Sequence, residues 1–189
     1  MIATADIDRT PSIVARQLGR VPRTPWRVAA SCAYGYPTVI ASPSRLADGT
    51  PFPTTYWLTC PYLSEAASAA ESAGSLAEWD ALIAEDPALR AELASVDAEL
   101  RRRRAAESDG VDACASVGVA GQTSVVVAKC LHARVALALV GIDDPIGLAL
   151  LEQASRACPD RRCGRVDAVG SPPRPAAEPP VPSHQEGTR

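Results

Sequence analysis

The stretch TTYWLTCPYLSEAASAAESAG, residues 54–74, changes periodicity part-way along. Its first six residues are rich in β-branched and aromatic side chains and alternate as a half-buried strand does. Pro61 then stands where a first-turn proline stands: its fixed φ suits a helix start, and its missing N–H is one that a helix leaves unpaired anyway. The helical run continues to a stop at Gly74. A strand feeding directly into a helix marks an α+β chain, and it leaves Cys60 at the junction.

Upstream, WRVAAS (26–31) and PTVIAS (37–42) repeat the strand signature between Pro and Gly breaks. The connection SPSRLADGTPFP (42–53) holds Asp48-Gly49 and three prolines, which makes it a loop with a nearly fixed path. Before the strands, Thr10-Pro11 opens a helix over about 11–18, with Ile13, Val14 and Leu18 at helical spacing and Gly19 as its end. Downstream, LAEWDALIAED (76–86) and PALRAELASVDAELRRRRAAES (87–108) read as two helices; Leu89, Leu93, Val96 and Leu100 form the apolar stripe of the second. Arg101–Arg104 suit the negative end of that helix and are expected to be solvated. SDGVDACASVGVAGQTS (108–124) reads as a linker or mobile loop. SVVVAKCLHARVALALVG (124–141) starts as a β-branched run and turns helical, and Asp144-Pro145 starts a last helix through about Arg156. The expected fold is therefore a small antiparallel sheet of two or three strands, from about 26 to 59, covered by several helices. One globular domain spans 11–163. The ends, 1–10 and the Pro-rich 164–189, are expected to be disordered, with His184 idle in the tail.

Composition narrows the partners. Nineteen basic and 22 acidic residues give a net charge of −3, without the dense basic face that neutralises a phosphate backbone, so nucleic acid is not expected. Lys129, His132 and Arg134 interrupt the most apolar segment near its middle, where lipid penalises charge, so no membrane span is expected. The start, MIATADIDRT, carries acids where a secretion signal needs a basic segment. A cytoplasmic location is the expectation, and there six cysteines stay reduced by default. Glycine-rich phosphate loops, GxSxG and HExxH are absent.

The chemistry lies with the cysteines. Cys60, between a strand and a helix start, would sit beside unpaired N–H groups and a positive helix end, a setting that favours thiolate. Cys130 and His132 are two apart, which on a continuous helix turns them to different faces unless the helix begins at that point. A lone histidine in an apolar segment is more often structural than a ligand. Cys32 precedes a Gly turn, and Cys158 and Cys163 frame CPDRRC at a looser spacing than a zinc knuckle. Cys32, Cys60, Cys130 and Cys158 each fall at the end of an element, where functional groups concentrate. Cys114, in the linker, does not.

ARQLGRVPR (15–23), SCAYGYPTVI (31–40), DGTPFPTTYWLTCPYL (48–63), KCLHA (129–133) and DPIG (144–147), taken in order, resemble the bacterial, mainly actinobacterial, family catalogued as domain of unknown function 501. The resemblance spans about residues 11–158. It matches the family's cysteines to Cys32, Cys60 and Cys130, its histidine to His132, and its late cysteine to Cys158 or Cys163. Ser31 replaces an arginine expected before Cys32, and the 108–124 segment is longer than usual. The resemblance implies a cytoplasmic protein, often encoded near septum-formation initiator, enolase and exopolyphosphatase genes, and no established activity.

Three classes of function stand open. In the first, Cys32, Cys60, Cys130 and one of Cys158 or Cys163, with His132 as alternative ligand, approach one another and hold zinc or an iron–sulfur cluster. In the second, Cys60 or Cys130 is the nucleophile of a thiol enzyme served by His132. In the third, the cysteines fill the core of a non-catalytic adaptor for a protein partner. The first is preferred, because the thiols gather at element ends. Oligomeric state is not legible.

Overall fold

The structure is a computed structural model and describes residues 10–124, 127–155 and 158–165. Among these, β1 (Arg27–Ser31), β2 (Pro37–Ala41) and β3 (Tyr56–Leu58) form an antiparallel sheet in the order β1-β2-β3. β2 is central and buried throughout. Register explains its two faces. Val39 opposite Leu58 and Ala41 opposite Tyr56 enter the main core, whereas Ile40 opposite Trp57 turns away from it. On that second side Trp57 stacks on Phe52, ring centres 5.4 Å apart, and Arg20 lies over its ring.

The helices are α1 (Thr10–Leu18), α2 (Pro61–Ser72), α3 (Ser75–Glu85), α4 (Pro87–Ala106), α5 (Leu131–Leu139), α6 (Pro145–Ala154) and the short α7 (Arg162–Arg165). Proline opens α2, α4 and α6, as the first-turn rule requires, and Asp86 and Asp144 cap the latter two by accepting N–H groups of their first turns. Leu63 and Ala67 of α2, Leu93, Val96 and Leu100 of α4, Val135 of α5 and Ile146 and Leu151 of α6 close one core over the sheet. Among the described residues no helix is long and apolar enough to cross a membrane. The α+β class and the antiparallel sheet are as expected. The ends expected to be disordered lie outside the described residues, except for Thr10 in α1 and 164–165 in α7, a short helix that the sequence did not suggest.

Two expectations need correction. The 108–124 segment is not a free linker: Cys114, Val119 and Gln122 are buried, and a 3-10 turn forms at Val119–Gly121. Nor is the end of α4 simply solvated. Arg104 is fully buried and donates to Asp112 and to the carbonyls of Pro53, Cys114 and Val117, while Arg103 donates to the last carbonyls beyond α5, at Val140 and Gly141. A polar, Gly-rich stretch orders here because a buried guanidinium gathers its carbonyls.

α5 and α6 cross closely at Gly147, where an added Cβ would stand 2.2 Å from the Arg134 carbonyl oxygen. Backbone cannot yield as a side chain can. Gly147→Ala is therefore expected to cost about 3 kcal/mol, read as a lowered urea midpoint at unchanged slope; a midpoint equal to wild type would mean that the two helices separate freely.

Candidate functional site

Four thiols line one narrow cavity of about 10 Å³: Cys32, Cys60, Cys158 and Cys163, with Tyr34, Thr38 and Arg161 among the walls. Three separate parts of the chain bring them there. Cys32 begins the β1–β2 turn, its N–H donating to Tyr36 and its carbonyl accepting from Gly35, whose φ of 84° needs glycine. Cys60 caps α2, and the bonds from Thr59 and Cys60 N–H to the Thr38 carbonyl hold it beside β2. Cys158 and Cys163 arrive on the segment after α6. That segment is clamped down by Arg161 over the Tyr34 ring, by Arg162 paired with Glu65 of α2, and by Gln17, which donates to the Cys163 sulfur at 3.3 Å.

All four are free thiols. Burial pushes the Cys60 thiol up, with the N–H groups of Leu63 and Tyr62 pulling the other way and Cys163 and Cys158 adding to the rise. Burial likewise raises Cys163, beside Cys32 and Cys158. The positive helix end at Cys60 exists as expected, but desolvation outweighs it, so the setting does not favour a free thiolate. Cys158 donates to Asp160 at 2.9 Å, and that hydrogen bond, with Arg162, holds the Asp160 carboxyl down at about 2. Thr38 is also a lining residue, and its hydroxyl is buried with no hydrogen-bond partner among the described residues. Such an orphan calls for a water or an ion.

Cys130 and His132 lie elsewhere. Cys130 caps α5, and its extended backbone (φ −148°, ψ 114°) releases the pair from helical geometry, so both side chains reach Glu71 near the end of α2. Glu71 is eleven residues beyond Cys60, about 16 Å along a helix. Ligand atoms of Glu71, Cys130 and His132 lie within 4.8 Å of one another; among the described residues no other set of three or more His, Cys, Asp or Glu does, so the four cavity sulfurs are spread wider. Glu71 Oε1 accepts from Leu131 N–H at 2.7 Å and stands 3.3 Å from His132 Nδ1, while Ser68, one turn earlier on α2, lies 3.2 Å from Nε2. Burial alone would raise the Cys130 thiol, but its pairing with His132 and the Ala133 N–H bring it below the usual value. His132 is raised, by Cys130 first and against burial.

The turn before Cys130 is strained. Lys129 has φ 61°, and Cys130 N–H donates to the Ala128 carbonyl at 2.9 Å, closing a γ-turn in the left-handed region that side chains avoid. Asp80 holds the Ala128 N–H from one side and Arg134 its carbonyl from the other.

The structure thus divides the expected ligand set: Cys32 and Cys60 with both Cys158 and Cys163 at one cavity, Cys130 with His132 at another position. Sequence reading missed Glu71. It is one acid among the 22 of the chain, and only its placement three residues beyond Ser68 hinted at a polar patch on α2. Cys114 is buried alone, its sulfur directed to the Ser44 carbonyl at 3.8 Å, and His184 lies outside the described residues.

A family model described as Protein of unknown function (DUF501) matches residues 28–152. The chain belongs to this family. In this DUF501 protein the matched span holds the sheet, α2 to α5 and most of α6, and with them Cys32, Cys60, Glu71, Cys130 and His132; Cys158 and Cys163 lie beyond it. No curated protein and no solved structure matches the chain.

Proposed function

We propose that this chain is a metal-binding protein in which Cys32, Cys60, Cys158 and Cys163 hold one ion of the zinc or iron class. One observation carries the reading: four of six cysteines, from segments as far apart as residues 32 and 163, line a single cavity. Thiols that merely fill a core have no reason to converge. A cavity of about 10 Å³ matches one water-sized sphere, which suits a single ion better than an iron–sulfur cluster. Four soft sulfurs suit tetrahedral zinc, or iron, at bond lengths of about 2.3 Å. Binding draws the sulfurs inward and ties the 158–165 segment to the sheet.

The test is metal analysis of the full chain purified without oxygen or chelator. Cys60→Ser and Cys163→Ser are each expected to lose one equivalent of metal, and Cys114→Ser to lose none. Colourless protein with zinc marks a structural ion, and coloured protein with iron an iron centre. Folded wild type that neither carries nor takes up zinc or iron would sink the reading and leave the adaptor. Chelation should also lower the melting temperature, because a ligand at a thousand times its Kd stabilises by about 4 kcal/mol; equal melting with and without chelator would contradict this.

A further inference from the structure

We propose that Glu71, Cys130 and His132 form a second, independent metal site for a zinc-like divalent cation, with one coordination position open to solvent. The three side chains converge on one point. In a thiol–imidazole–carboxylate relay the nucleophile and the orienting acid occupy opposite ring nitrogens, which puts sulfur and carboxylate about 6 Å apart or more. Here all three ligand atoms lie within 4.8 Å of one another, so they point at one place rather than along a line through the ring. Tetrahedral ligands at about 2.0–2.3 Å from an ion stand roughly 3.3–3.8 Å apart, a short closing movement away. The donor set of one thiolate, one imidazole and one carboxylate is the mixture that zinc accepts, and three protein ligands are the number that leaves a place for water or substrate.

Supporting contacts surround the trio. Glu71 is fixed by the Leu131 N–H, and Ser68 holds the far nitrogen of His132, as outer partners of metal ligands do. The strained γ-turn at Lys129 aims Cys130 out of the line of α5, and its strain is maintained by Asp80 and Arg134 from both sides. The side chains are partly exposed, His132 at 33 % and Glu71 at 27 %, so a fourth position faces solvent. The four-thiol cavity, by contrast, has Cys158, Arg161 and Cys163 along one wall, with Cys60 and Cys158 buried. One site has the character of a structural centre and the other of a reactive one.

Cobalt(II) and zinc titration of the full chain tests this. Relative to wild type, Glu71→Gln, Cys130→Ser and His132→Gln are each expected to bind one equivalent less, while Cys60→Ser loses a different equivalent, so that Cys60→Ser/His132→Gln loses both. Failure of the four-thiol reading would leave the Glu71, Cys130 and His132 losses standing, so the two outcomes separate. Near-isosteric changes and an unchanged circular dichroism spectrum guard against unfolding. Should all three variants bind as much metal as wild type, or should cobalt show no thiolate charge-transfer band that disappears with Cys130→Ser in the Cys60→Ser background, the site does not exist.

Discussion

Asp144→Ala is expected to lower the unfolding free energy by about 3–5 kcal/mol. Asp144 and Arg134 are both fully buried and meet at 2.9 Å, so removing the carboxylate leaves a guanidinium in the core with, among the described residues, the Ala128 carbonyl and the Gln122 amide oxygen, at 3.3 and 3.4 Å. The same substitution uncaps α6, freeing the Ile146 and Gly147 N–H groups, at a further cost of about 1 kcal/mol. Asp144→Asn keeps the cap but loses the charge and should fall between. Arg134→Met/Asp144→Asn should regain much of the loss, because the cost lies in the orphaned charge. Urea unfolding followed by circular dichroism reads all three. An Asp144→Ala loss below about 1 kcal/mol would show that water reaches Arg134. Because Arg134 also holds the Ala128 carbonyl, the Asp144 change should loosen the turn that presents Cys130.

Arg104→Ala carries the second large effect, again about 3–5 kcal/mol. It empties the volume of a fully buried side chain, leaves the Asp112 carboxylate without its 2.8 Å partner, takes from the Val117 carbonyl the donor it accepts at 2.8 Å, and leaves the Cys114 carbonyl with the Val117 N–H alone in place of two donors. Arg104→Lys restores charge but cannot span acceptors in several directions, so it should recover only part. Hydrogen exchange should show the 112–122 segment opening in both variants while α2 and α5 remain protected. Unchanged protection across 112–122 would mean that the segment orders without Arg104.

These two arginines explain where sequence reading stopped. Periodicity, first-turn prolines and the β-branched runs are local, and they were enough for an antiparallel sheet of two or three strands and for the helices from α1 to α6. Nothing local distinguishes Arg104 from Arg101–Arg103, since all four suit a helix end; the difference is that one faces a loop which folds around it. The 108–124 stretch looked mobile because its own side chains are small, whereas its order is supplied from α4. The candidate sites were legible to the same degree. Element ends marked Cys32, Cys60, Cys130 and Cys158, but which thiols share a cavity depends on how α2 separates its two termini by about 16 Å. Glu71 was invisible because a carboxylate on a helix face is ordinarily solvated.

X-ray absorption at the edge of the bound metal, recorded on the full chain carrying Cys130→Ser so that the cavity site stands alone, counts the sulfurs around the ion. Four sulfurs at about 2.3 Å are predicted, falling to three when Cys163→Ser is added. A first shell of nitrogen and oxygen alone, or a folded protein without metal, would contradict the assignment of Cys32, Cys60, Cys158 and Cys163.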